Sequence, residues 1–344
     1  MDFSRPDNAR TINRLKVLNA LRKGDLSRAE LSRELVINKV SISEITDALL
    51  REGLIENGER DNTTQGRPST KLTIAKKKGR VFSFIFSSST VTASASNLSG
   101  QVLRFERFPK DDNMINQIAS FIRKMTSDDP VVYGVTIVGS EDEVPASAFP
   151  WPVTYTSAAV AQARAEMEGK KMEKTLFVSW GDEIEAAYEE KFLHYMPSFG
   201  HMKVSSGVTC SCGGNGCLSA VASGLRIKSM TGISQYRRLT TEEKGIIAID
   251  DTLRDMALAL AEAVQALGAE SVVITGELSV MSDDLYASLN DKLRMMLPPN
   301  REVKVLKSAK GDRSALEGAG IIALDEFFYH SNQLEKLNEI QASL

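Results

Sequence analysis

Four side chains in one short stretch have the types and spacing to hold a metal ion. GHMKVSSGVTCSCGGNGC, residues 200–217, contains His201, Cys210, Cys212 and Cys217. One imidazole and three thiolates make up a closed tetrahedral set with no position left for water, so the site reads as structural and Zn2+ as its ion. Gly213, Gly214 and Gly216 let the chain fold back so that Cys217 can join the other ligands. These are the only 3 cysteines in the chain. A disulfide framework would need more of them, spread more widely. A free-thiol loop and a redox pair are the competing readings, but Cys210 and Cys212 lack the C-x-x-C spacing of thioredoxin-like dithiols.

A second constellation is basic and N-terminal. The net charge of −3 is unevenly distributed. Residues 1–80 carry 17 Lys and Arg against 11 Asp and Glu, a net +6, and the rest carries 25 against 34, a net −9. A basic head on an acidic body suits a nucleic-acid-binding module on a separate sensor or enzyme; solvated surface charge is the plainer alternative. Leu15, Leu18 and Leu21 recur at helical spacing over residues 10–23, with Gly24 at the C-terminal turn. Ser27-Arg28-Ala29-Glu30 is a capping box opening a second helix. Asn38 suits the N-cap of a third, whose inward residues include Val40, Ile42, Ile45, Leu49 and Leu50 and which closes at Gly53. Leu54–Gly58 and Lys71–Ile74 follow as strands around a polar loop. The pattern is a winged helix-turn-helix, with the third helix in the major groove.

On that plan Lys39, Ser41, Ser43 and Glu44 face base edges or nearby phosphates, and Arg28 and Arg33 face the backbone. At the wing tip, Gln65-Gly66-Arg67-Pro68 is slim and extended, which sends Arg67 into a narrow, electronegative minor groove. A packing or dimerisation module would not need this ordered set. The partner is double-stranded operator DNA.

With 344 residues, 42% hydrophobic and 25% charged, the chain reads as a soluble globular protein of two or three domains. No apolar run has transmembrane length, and the polar start MDFSRPDNARTINRL lacks the core of a signal peptide, so no membrane role and a cytoplasmic location are expected. Beyond a basic stretch at 76–80, read as a solvated linker, strands (Phe82–Phe86, Val91–Ser96, Val131–Val138, Leu176–Val178, Ser271–Thr275, Val303–Leu306) alternate with helices (113–125, 156–168, 252–267, 312–329). Such alternation predicts a layered α/β architecture. The division is thus 1–75, a DNA-binding domain; 76–80, a linker; and 81–344, an effector and oligomerisation body. The tail 331–344 reads as an amphipathic packing arm.

GHMKVSSGVTCSCGGNGCLSAVASG resembles the zinc signature of the ROK family of repressors and sugar kinases. The winged head with GRPSTKLTI resembles the family's regulators, and ITGELSVMSDDLYASLNDKLR and GDRSALEGAGIIALDEF resemble its closing strand and helix. The resemblance implies a two-lobed, actin-like α/β body with a sugar cleft. It also implies operator binding as a homodimer or tetramer, with a sugar or protein effector. The family's kinases also bind ATP, but where they carry an Asp and two glycines for the phosphates this chain has Ile85, Ser87 and Ser88. A second Gly-rich hairpin has no counterpart between Glu190 and Ser198, and the late glycines are reduced to Thr275-Gly276-Glu277. Gly181-Asp182 matches the family's Asn-Asp pair, so the base-position carboxylate Asp182 survives. Ser198 and Ser219 stand where hydroxyl-clamping glutamates are expected, and they weaken any hexose site that includes Asp182. The expectation is a zinc-stabilised repressor of carbohydrate-related genes without kinase activity. A constitutive or partner-controlled DNA-binding protein is the alternative, and a sugar kinase with a DNA head a remote third.

Overall fold

The computed structural model describes residues 6–61 and 69–330. In the head, α1 (Pro6–Lys23) leads into a two-residue strand, β1 (Leu26–Ser27), then α2 (Arg28–Glu34) and α3 (Lys39–Glu52). The Ser27/Glu30 capping box forms, the Asn38 side chain caps α3 through the Ser41 N–H, and Gly53 ends α3 in the left-handed region. Gly24 is not left-handed, so α1 ends without the expected glycine cap. β2 (Ile55–Asp61) and β3 (Ser69–Ile74) pair antiparallel, and β1 adds to β3 to give the sheet order β1-β3-β2. The short β1 has too few residues for any periodicity to reveal it.

The body has two lobes. The first sheet contains β4 (Gly79–Phe86), β5 (Thr90–Asn97), β6 (Val102–Pro109), β7 (Val131–Val138) and β8 (Val153–Thr156), with α4 (Met114–Met125) between β6 and β7. Its order is β6-β5-β4-β7-β8, antiparallel on the hairpin side and parallel from β4 to β8. α5 (Ala158–Met167) crosses to the second lobe. There β9 (Thr175–Trp180), β10 (Ile184–Glu189) and β11 (Leu193–Met196) precede a helical run: α6 (Leu218–Ala222), α7 (Gly224–Thr231), α8 (Tyr236–Leu239) and α9 (Glu243–Leu267). β12 (Ser271–Thr275), α10 (Asp283–Met296), β13 (Lys304–Lys307) and α11 (Ser314–Leu324) complete it, with sheet order β11-β10-β9-β12-β13. β9 is buried along its whole length, as a strand flanked on both edges and covered on both faces must be. α11 packs back on α5 through Gly318, where a Cβ would lie 1.6 Å from the Ala161 carbonyl oxygen. A turn of π-helix, Asp325–Tyr329, extends α11.

Head and body share one apolar core. Val17, Leu18 and Leu21 of α1 cluster with Val81, Leu98, Leu324, Phe328 and Tyr329. This corrects the reading of 76–80 as a solvated hinge. Lys76–Lys78 are exposed, but β4 already begins at Gly79, paired with Val131. Arg80 is buried, donating to the Met125 carbonyl at 3.0 Å and pairing with Asp128 at 2.5 Å. Among the described residues no helix is long and apolar enough to cross a membrane.

Candidate functional site

The four predicted ligands converge. The ligand atoms of His201, Cys210, Cys212 and Cys217 all lie within 4.8 Å of one another. A turn of 3-10 helix, Phe199–His201, presents the imidazole. Isolated bridges, Lys203 with Cys217 and Thr209 with Asn215, then fold the loop back. The fold-back needs glycine at 216, where φ is +75° and a Cβ would meet the Ser205 carbonyl at 1.9 Å. Cys210 Sγ is 3.6 Å from His201 Nδ1, and Cys212 Sγ is 3.7 Å from Cys217 Sγ. Ligands about 2.3 Å from a tetrahedral ion are separated by about 3.7 Å, so these residues fit Zn2+. The backbone N–H of Cys212 holds the Cys210 thiol down to about 6, while burial pushes Cys217 up to about 11.

The Cys/His loop sets the position of the cleft. Cys217 is the N-cap of α6, the Trp180 indole donates to the Ala222 carbonyl at 2.7 Å, and the Gly224 N–H donates to the Gly181 carbonyl at 2.6 Å. α7 and α8 thereby bring Lys228 and Tyr236 to Asp182. Lys228 Nζ and Tyr236 OH each donate to Asp182 Oδ1 at 2.6 Å, and Ser88 Oγ, from the other lobe, donates to Oδ2 at 2.6 Å. Burial opposes ionisation of Asp182, but these three donors outweigh it and hold the carboxyl below its usual range. Asp182 is therefore a clamped carboxylate that ties the lobes together.

Around it lies an interlobe cleft of about 600 Å3, lined by Ser88, Arg107, Lys110, Glu143, Glu185 and Glu277 among others. Of the three predicted pocket residues the cleft wall includes Asp182 alone. Ser198 is exposed before the 3-10 turn, and Ser219 packs its hydroxyl beside Gly200. Sequence reading missed Glu185 and Glu277 as cleft residues, and Lys228 and Tyr236 as the donors that hold Asp182. Glu277 was legible only as a lost glycine.

Glu277 sits against Gly181, where a Cβ would lie 1.9 Å from its Oε2. Burial pushes the Glu277 carboxyl up, and Asp182 adds to the rise. A raised folded-state value means that the ionised carboxylate weighs against folding above the unfolded value near pH 4, and that the penalty vanishes below it. Glu277→Gln should therefore raise Tm at pH 7 and leave it unchanged near pH 3.5. Thermal melts at the two pH values check this; a neutral-pH Tm at or below wild type contradicts it.

In the head, Lys39 and Glu44 are exposed and Ser41 and Ser43 half-buried at the start of α3, opposite the buried face of Ile42, Ile45 and Leu49. Val40, predicted inward, is 69% exposed, because it lies two residues from Ile42 and five from Ile45 and so falls on the opposite face of α3. Arg28 is turned onto α3, donating to Thr46 Oγ1 at 2.8 Å and pairing with Asp47 at 2.5 Å, whereas exposed Arg33 donates to the Ala29 carbonyl of its own helix at 3.3 Å. Arg67 and the rest of the wing tip lie outside the described residues.

Residues 194–326 match the ROK family. No curated protein matches the sequence. Among solved structures, a ROK family transcriptional regulator that is a homologue of the E. coli MLC protein is similar at TM-score 0.72 and 21% identity, covering 95% of this chain and 99% of its own. A ROK family glucokinase from Streptomyces griseus, in complex with glucose and AMPPNP, is similar at TM-score 0.59 and 14% identity over 71% of this chain and 99% of its own. A ROK hexokinase from Thermus thermophilus is similar at TM-score 0.57 and 17% identity over 72% and 98%. Residues 194–326 are thus similar to the ROK family and lie in a two-lobed α/β body with the fold of these solved structures, preceded by a helix-turn-helix head.

Proposed function

We propose that this chain is a cytoplasmic DNA-binding transcriptional regulator, a repressor of carbohydrate-related genes stabilised by Zn2+ and without sugar-kinase activity. The observation that carries this reading is α3. It is capped, packed on one face, and presents Lys39, Ser41, Ser43 and Glu44 on the other, as a major-groove helix requires. The larger share of the chain covered by the regulator than by the kinases supports it too. Against phosphoryl transfer stand the clamped Asp182, the absence of any carboxylate in the Ser87–Ser89 turn, and Glu277 in place of a glycine. As a homodimer or tetramer the protein would place its heads on half-sites about 34–36 Å apart, or a multiple of that. Selection of bound genomic fragments by the full chain would give the operator. Arg67→Ala should then weaken binding on every duplex and lower the slope of log affinity against log salt by about one. An unchanged slope removes the wing from the interface, and failure to retain any duplex at modest ionic strength ends the DNA-binding reading.

The absence of Ser198 and Ser219 from the cleft wall gives some support to control by a partner protein in place of a hexose. A thermal-shift screen of sugars separates the two: saturable shifts support small-molecule sensing, and a flat screen supports the partner.

A further inference from the structure

We infer that Val40, in the first turn of α3, reads a thymine in the major groove by packing against its 5-methyl group. The inference rests on the DNA-binding reading and deepens it from a surface to a base. Val40, Ser43, Glu44 and Asp47 recur at i, i+3, i+4 and i+7, so they share the face of α3 opposite buried Ile42, Ile45 and Leu49. Val40 is the second residue of α3, and the N-terminal residues of a recognition helix are the ones that meet base edges. At 69% exposure it adds little to the core, and valine is not a favoured helix former. The first turn departs from what folding alone would select in its charge as well. It holds no acidic residue and opens on exposed Lys39, a cation at the positive end of the helix dipole. A polyanion reverses that cost, and residues 1–80 suit one with 17 Lys and Arg against 11 Asp and Glu. The turn before α3 is pinned: Ser32 Oγ donates to the Ile37 carbonyl at 2.6 Å, and the Ser41 N–H to Asn38 Oδ1 at 2.8 Å. Valine in a helix keeps essentially one χ1 rotamer, so contact costs it little side-chain entropy. On the major-groove edges the thymine methyl is the one apolar group. The others are donors and acceptors, which valine would strip of water without replacing a hydrogen bond. Ser43 and Glu44, one turn on, supply the polar readers beside it.

The test takes the duplex recovered by genomic selection and replaces each thymine in turn by uracil, which removes the methyl group and keeps the base pair. Kd is measured for the full chain as wild type, Val40→Ala and Val36→Ala. Val36 is 91% exposed but lies in the turn before α3, outside the helical stripe. At one thymine per half-site, uracil should weaken wild type about fourfold, which corresponds to ~0.8 kcal/mol for one methyl-sized group withdrawn from water. Val40→Ala should lose most of that response and bind the thymine duplex about fourfold more weakly, with its Tm unchanged, and Val36→Ala should behave as wild type. An equal uracil response in Val40→Ala, or no thymine whose replacement weakens wild type, overturns the inference and leaves the DNA-binding reading in place. A changed sedimentation coefficient of DNA-free Val40→Ala, with the uracil response intact, makes Val40 a contact between copies of the chain and overturns it too. Failure to recover any duplex ends the DNA-binding reading and the inference with it.

Discussion

Asp325→Asn should loosen the head from the body and cost about 3 kcal/mol of stability. Asp325, only 5% exposed in its side chain, accepts from Arg22 of α1 through one oxygen and from Arg164 of α5 through the other. The Arg22 guanidinium also lies 4.8 Å above the Tyr329 ring and 3.2 Å from Glu168. Tyr329 is fixed in turn, with its hydroxyl donating to the Leu98 carbonyl at 2.7 Å and its own carbonyl accepting from Asn19 at 3.0 Å. An amide at 325 cannot neutralise two arginines, so a mostly buried cation pair would face itself across the head–body joint. Removing one partner of a buried ion pair typically costs about 3–5 kcal/mol, and the part-exposed Arg164 puts this case at the low end. Lys76–Lys78 are exposed beside the joint, so trypsin should cut there faster in Asp325→Asn than in wild type, before the body unfolds. Arg22→Leu should cost less in the Asp325→Asn background than in wild type, since the coupling is already lost. Equal Tm and equal cleavage rates would show that the apolar core alone holds the head.

This clamp also joins the two functional regions. α5 lines the cleft at Ala158 and Gln162 and reaches Asp325 through Arg164, less than two turns on. A change in lobe closure at Ser88 and Asp182 therefore has a rigid element leading to the head. None of this was legible in the sequence. Asp325 and Arg22 are 303 residues apart, and an aspartate at the end of an apolar helix carries no local mark of its partners. The features that could be read were local ones. The capping box at Ser27, the Asn38 cap, the buried run of β9 and the clustered Cys/His ligands each rest on spacings within a few turns of chain. Val40 was misassigned on its apolar character: two residues from Ile42 and five from Ile45, it does not share their helix face, and its spacing already points outward. Glu277 looked like a glycine lost; only the fold shows that Gly181 makes the room its carboxylate fills.

On the zinc reading, chelation at the His201/Cys210/Cys212/Cys217 cluster should have the largest effect on the body, as should Cys217→Ser. Between Met202 and Cys217 the chain has no helix and no strand, only the two isolated bridges and a few turn hydrogen bonds. Closed Cys/His sites bind zinc with about 10–16 kcal/mol of apparent free energy in small peptides. Here the surrounding lobe already orders part of the loop, so a loss of about 3 kcal/mol is a reasonable scale, and for a chain of 344 residues it lowers Tm by roughly 4 °C. The damage should pass along a defined path. With Cys217 released, α6 loses its start, the Ala222 carbonyl moves off the Trp180 indole, and α7 shifts Lys228 away from Asp182. Trp180 is fully buried, so in a Trp151→Phe background its emission should shift to the red on chelation. Readdition of Zn2+ should reverse the shift in wild type but not in Cys217→Ser. If elemental analysis confirms removal while Tm and emission stay where they were, the loop is held by its backbone bonds and the metal has no structural role.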